Sequence, residues 1–153
     1  MHLYLIGYRG SGKSTVGRLL AATLQRAFVD TDEAIEAFSG LTIREIFQRE
    51  GEPGFREREE RVIADVAKHK EFAIVALGGG AVLRTANRHC LQQSGKCVWL
   101  QGSAKELFSR IQADATTAER RPNLSAGGGY AEVVELLAAR EPVYAELAEL
   151  TIQ

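Results

Sequence analysis

Gly7-Tyr8-Arg9-Gly10-Ser11-Gly12-Lys13-Ser14 follows directly on the apolar run Leu3-Tyr4-Leu5-Ile6 and leads into Val16, Leu19 and Leu20. A run of β-formers, then glycines, then Lys-Ser at the head of an amphipathic segment is the context that a G-x-x-x-x-G-K-[ST] phosphate loop requires. The glycines let the backbone curl so that successive N–H groups point inward at phosphate oxygens. In that geometry Gly10, Ser11, Gly12, Lys13, Ser14 and Thr15 wrap the phosphates. Lys13 sets its ammonium against the β- and γ-phosphates, and the Ser14 hydroxyl ligates Mg²⁺. The helix that follows aims its N-terminal dipole at the same anion. The stretch predicts a nucleoside triphosphate site between a first strand and a first helix.

Outward from this loop, short β-rich runs alternate with helical patterns, which reads as an α/β chain with a mostly parallel sheet. The expected strands are His2–Ile6, Ala27–Val29, Phe72–Leu77, Cys97–Gln101 and Glu149–Ile152. The expected helices are Lys13–Leu24, Thr31–Phe38, Thr42–Glu50, Pro53–Lys68, Thr85–Gln93, Ser103–Gln112 and Tyr130–Leu147. Thr42-x-x-Glu45 and Ser103-x-x-Glu106 are capping boxes. Ala113–Gly129 is polar, bears Arg120-Arg121-Pro122 and ends in three glycines. Inside a compact nucleotide-binding domain, a connection of this length reads as a lid.

The 153 residues suit one domain, and 45% hydrophobic with 25% charged content is ordinary for a soluble globular chain. A net charge of −1 gives no support for nucleic-acid or acidic-membrane binding. Cys90 and Cys97 form no C-x-x-C pair and read as small buried hydrophobes in a reducing compartment. No stretch approaches transmembrane length, so a cytoplasmic enzyme is expected. His2, His69 and His89 show no ligand spacing, and Trp99 alternates with Cys97 as a core position.

Two charges interrupt apolar helix faces. Taking about 100° per residue from Phe55, Val62 and Val66 fall within about 20° and Glu59 at about 40°, with Arg56 on the edge of the stripe. An inward carboxylate needs a partner, and Arg56 can supply it either as a structural ion pair or as part of a ligand clamp. From Val133, Leu137 lies at about 40°, Tyr144 at about 20° and Arg140 at about −20°, so Arg140 also points inward. Pro142 removes one hydrogen bond from that helix and is expected to kink it. Two inward arginines fit a pocket that clamps a planar carboxylate or a phosphate.

Asp30-Thr31-Asp32 closes the second strand at the carboxyl edge, where α/β sheets bind ligands. Either aspartate can cap the next helix. Beside a phosphate loop, one can instead serve Mg²⁺ and the other accept the proton of a hydroxyl nucleophile. Gly78-Gly79-Gly80 follows the third strand and permits close approach of backbone to a ligand. An arginine of the lid can stabilise charge on a transferring phosphate.

In order and spacing these positions resemble the shikimate kinases over essentially the whole chain. The shared pattern is the phosphate loop, Asp30-Thr-Asp32, Phe55-Arg56-x-x-Glu59, Gly78–Gly80, Arg121-Pro122 and Arg140-x-Pro142-x-Tyr144. The resemblance implies a three-layer P-loop kinase fold of the nucleoside-monophosphate-kinase type, with a five-stranded parallel sheet in the order 2-3-1-4-5. It places substrate-binding helices over about 31–62 and a lid over about 113–129. It implies ATP-dependent phosphorylation of the shikimate 3-hydroxyl with Mg²⁺, by a monomer that engages neither nucleic acid nor membrane. By position, Ser14 and Asp30 would serve Mg²⁺, and Asp32 would bind the shikimate hydroxyls and act as base. Arg56 and Arg140 would hold the carboxylate, with Glu59 orienting Arg56, Gly79 among the three glycines donating a backbone contact, and Phe47 and Phe55 lining the apolar side. Lys13 and Arg121 would contact the phosphates, and Arg110 would lie near the adenine. Family members usually continue past the fifth strand with an adenine-contacting loop and a terminal helix, whereas this sequence stops at Ile152-Gln153. Two other readings fit the phosphate loop: a gluconate-type small-molecule kinase, and a non-catalytic nucleotide-binding homologue.

Overall fold

The computed structural model describes residues 1–114 and 128–153. Five strands form one parallel sheet: β1 (His2–Ile6), β2 (Ala27–Asp30), β3 (Ala73–Ala76), β4 (Gly95–Leu100) and β5 (Ala148–Ile152). Their order is β2-β3-β1-β4-β5, as expected. The chain therefore leaves β1 towards β3 and β2 on one side and returns to β4 and β5 on the other. In such sheets the crevice for a ligand opens at the carboxyl ends of the strands that flank the reversal.

Helices α1 (Lys13–Leu24), α2 (Thr31–Ser39), α3 (Ile43–Lys68), α4 (Thr85–Ser94), α5 (Ala104–Ala113) and α6 (Gly129–Leu147) surround the sheet. The alternation along β1 shows how the layers form. Tyr4 and Ile6 enter a large core with Val75, Trp99, Phe55 and Tyr144, while Leu5 enters a second core with Ile74 and Ala21 of α1. A strand buried on both faces reads as a continuous apolar run, which is what Leu3–Ile6 shows. Gly17 lets α1 lie close on the sheet, since a Cβ there would sit 2.5 Å from the Phe28 ring. A third cluster of Tyr8, Leu107, Val133 and Leu137 joins the phosphate loop to α5 and α6.

Both capping boxes form, Thr42 with Glu45 and Ser103 with Glu106. The two helices expected on either side of residue 51 follow one another in α3, separated by a kink at Gly51, which leaves helical geometry (φ 69°, ψ −173°). Gly51 supplies the positive φ that ends the first segment, and Pro53 lies in the opening turn of the second, where its missing N–H leaves no helix bond unmade. The break turns Phe47 towards Phe55, and their rings stack 5.0 Å apart. α6 continues through Pro142, and the buried Tyr144 and Leu147 fasten its last turns to the core. β4 starts earlier than its apolar residues, at Gly95, whose Cα lies against the His2 carbonyl with no room for a side chain. Cys97 belongs to the core, where burial pushes its thiol up to about 11; Cys90 is half-buried, and neither is in a disulfide. Among the described residues no helix is long and apolar enough to cross a membrane. The expected lid, with Arg120, Arg121 and Pro122, lies almost wholly outside the described residues.

Candidate active site

The phosphate loop turns on glycines with positive φ, Gly7 (139°), Gly10 (81°) and Gly12 (93°). Lys13, the first residue of α1, is buried and folds back over its own loop. Its ammonium donates to the carbonyls of Gly7 (2.8 Å) and Tyr8 (2.9 Å). A cation is thus held in the loop by the Gly7 and Tyr8 carbonyls and the Ser11 hydroxyl. The Ser14 hydroxyl donates to Asp30 Oδ2 at 2.6 Å. The other oxygen of Asp30 accepts from the backbone N–H groups of Asp32 (2.9 Å) and Glu33 (3.3 Å), so Asp30 is also the N-cap of α2. The capping and ligand readings of this aspartate are therefore compatible, because each uses a different oxygen.

Gly10, Gly12, Lys13, Ser14, Thr15, Asp30, Asp32, Gly78, Gly79 and Arg110 line one cleft of about 510 Å³. Asp32 stands on the first turn of α2, half-buried at its wall. Arg110, near the end of α5, donates to the Gly10 carbonyl at 3.4 Å and remains exposed. Ser11 is buried behind the loop.

The inward arginines meet on the triple-glycine turn. Arg56 is 6% exposed and Glu59 is fully buried, joined by an Nη1–Oε1 hydrogen bond of 2.8 Å. Glu52, one turn before Arg56, accepts from its Nε and Nη2. The guanidinium lies so close to Gly80 that a Cβ there would come within 2.2 Å of Nη2. Arg140 is 5% exposed, and its Nη1 would lie 3.5 Å from a Cβ on Gly79. Its guanidinium carbon lies 5.4 Å from the Tyr8 ring centroid. The Arg56 guanidinium likewise lies 5.2 Å from the Phe55 ring, so the stacked Phe47 and Phe55 border the arginine pair. The two arginines differ in charge balance. Arg56 is paired with Glu59 and Glu52, whereas among the described residues no carboxylate pairs with Arg140.

Several structural partners are not visible in the motif pattern. Gly78 is held by its N–H to the buried Thr31 hydroxyl (3.1 Å), which joins the Asp-Thr-Asp segment to the glycine turn. The Tyr144 hydroxyl, inside α6, donates to the Gly79 carbonyl. Arg9 pairs with the buried Glu132 of α6 at 3.3 Å. Glu132 lies at about −100° from Val133, off the stripe of Val133, Leu137, Arg140 and Tyr144, so periodicity carried no signal for its burial.

A parallel sheet in this order, a phosphate loop after β1 and a carboxylate-bearing cleft at the strand ends define a small-molecule kinase of the P-loop class. The family model for shikimate kinase matches residues 9–153. A shikimate kinase of Rhodopirellula baltica is 47% identical over 99% of this chain and 80% of its own length. One from Symbiobacterium thermophilum is 45% identical over 99% and 86%. Among solved structures, shikimate kinase from Acinetobacter baumannii in complex with shikimate superposes with a TM-score of 0.91 at 39% identity, covering 99% of this chain and 82% of that one. A gluconokinase from Sinorhizobium meliloti shares the fold at 22% identity and a TM-score of 0.51, over 97% of this chain and 93% of its own. The chain belongs to the shikimate kinase family.

Proposed function

We propose that this chain transfers the γ-phosphoryl group of ATP to the 3-hydroxyl of shikimate, giving shikimate 3-phosphate and ADP in aromatic amino-acid biosynthesis. The observation that carries this reading is Arg140, a buried guanidinium on Gly79 that forms no ion pair with a carboxylate of the described residues. Neither the Tyr8 ring, worth about 0.5–2 kcal/mol, nor the hydrogen bond of Arg140 to the neutral Tyr144 phenol supplies the negative charge that a buried guanidinium calls for. The carboxylate of a bound acid completes the balance, with Arg56 supplying the second fork.

In this reading the acid lies with its carboxylate between Arg56 and Arg140, against Phe47 and Phe55, and takes a backbone contact from Gly79. Glu59 and Glu52 hold Arg56 in orientation. Asp32 faces the cleft where the hydroxyl would lie and accepts its proton as the oxygen attacks the γ-phosphorus. The new O–P bond forms as the bond to the β,γ-bridging oxygen breaks, and the electron pair leaves with ADP. Lys13 and the loop N–H groups stabilise the charge that gathers on the phosphates, and Arg121 supplies a further cation. The Ser14 hydroxyl and Asp30 carboxylate, 2.6 Å apart, are hard oxygen donors of the kind Mg²⁺ accepts together with phosphate oxygens. When bound there, the ion neutralises β- and γ-phosphate charge. The chain is proposed to act as a monomer.

Titration calorimetry with shikimate and its methyl ester tests the clamp. The ester, which cannot carry the charge, should bind at least about tenfold more weakly. Equal affinity for acid and ester would remove the basis for the reading.

A further inference from the structure

Arg9 is the one cation of the phosphate-loop turn besides Lys13, and the transfer described above leaves it without a role. Its backbone N–H lies against Gly79, 3.1 Å from where a Cβ would stand, at the point where the nucleotide loop touches the acid subsite. Its side chain lines the same cleft as Lys13, Asp32 and Gly79 and is 23% exposed. One terminal nitrogen, Nη2, donates to Glu132 Oε2 at 3.3 Å. Glu132 sits in the first turn of α6 with its side chain fully buried.

A planar guanidinium anchored through one edge can present its other N–H groups to a second acceptor in a fixed direction. A surface arginine gains nothing from such an anchor, because exposed ion pairs contribute little. A buried carboxylate that reaches across 123 residues to an arginine in a phosphate cleft fixes that direction. We propose that Arg9 contacts the phosphoryl group as it passes from nucleotide to acceptor, and that Glu132 is the positioning residue that aims it. The inference rests on the kinase reading above. It goes beyond that reading by adding a cation from the variable part of the phosphate loop.

The test compares wild type, Arg9→Ala, Arg9→Lys, Glu132→Gln and the Arg9→Ala/Glu132→Gln double variant under saturating ATP and shikimate. Arg9→Ala should lose at least about tenfold in kcat, with KM for ATP changed by less than about threefold. Millimolar guanidinium should restore part of that loss, because a free ion can occupy the vacated contact. Glu132→Gln should lower kcat in the same direction, and the double variant should be no slower than Arg9→Ala. If Arg9→Ala unfolds, Arg9→Lys serves, since it keeps the ion pair and should still lose kcat. Near-wild-type kcat in Arg9→Lys, or a loss confined to the melting temperature, would overturn the proposal. Wild type that turns over no shikimate would instead overturn the kinase reading, and this inference with it.

Discussion

Tyr144 donates its hydroxyl hydrogen to the carbonyl of Gly79, joining the last turns of α6 to the turn between β3 and α4. The bond is fully buried, and Trp99 packs against the Tyr144 ring at 5.6 Å. Burial pushes the phenol well above its ordinary range, so it is a permanent donor. Arg140, one turn earlier on α6, is thereby held over the same glycine.

Tyr144→Phe leaves the Gly79 carbonyl buried without this donor. The expected cost is about 1–2 kcal/mol, a fall of several degrees in melting temperature for a chain of this size. KM for shikimate should rise as Arg140 and Gly79 lose their common anchor. Thermal melting and steady-state kinetics check both, and an unchanged KM would separate the bond from the acid subsite.

Asp32→Asn keeps the size of the side chain and removes its basicity. Turnover should drop about 10²- to 10⁴-fold while ATP binding, measured by titration, stays nearly intact. Near-wild-type kcat would rule out Asp32 as the base.

Gly80→Ala and Gly95→Ala both introduce a Cβ at 2.2 Å from another atom, with different consequences. At Gly80 that atom is the end of the Arg56 side chain, which can swing away from Gly80 at the expense of the clamp. Gly80→Ala should therefore raise KM for shikimate by about tenfold or more with a modest change in melting temperature. At Gly95 the atom is the backbone oxygen of His2 in the adjacent strand, which cannot yield alone. Gly95→Ala should lower the melting temperature and leave KM near wild type. The reverse pattern would contradict the placement of Arg56.

His2 is buried at the start of β1, where its Nδ1 accepts the backbone N–H of Ala73. Burial, reinforced by the positive N-terminus, holds its pKa below the ordinary 6.5. The folded state thus prefers neutral imidazole, and below that pH the unfolded chain binds the extra proton. The stability His2 contributes is complete above about pH 6.5 and is lost as pH falls towards the lower folded value. Melting temperature should decline on acidification through this range in wild type and decline less in His2→Asn. Equal slopes would exclude His2 as the cause.

Much of this site is legible in local spacing. The phosphate loop is contiguous, and Glu59 and Arg140 betray themselves as charges on apolar helix faces. Both are buried where the roughly 100° rotation per residue places them. What spacing does not carry is which distant groups meet. Thr31 with Gly78, Tyr144 with Gly79 and Arg9 with Glu132 are separated by 47, 65 and 123 residues. Their pairing depends on the strand order, which sets the glycine turn beside the phosphate loop. The run across Gly51 illustrates a second limit. Glycine and proline mark the break between the two helical segments, but the approach of Phe47 to Phe55 across that break depends on packing that spacing does not carry. The expected role of Arg121 lies outside the described residues.

The most direct test of the central claim is ADP release from Mg-ATP with shikimate, with gluconate and with no acceptor. Turnover that depends on shikimate, and is near background with gluconate or no acceptor, is the predicted result. Turnover with gluconate alone would assign the Arg56–Arg140 clamp to an open-chain sugar acid, and ATP binding without turnover on either acid would contradict the kinase assignment itself.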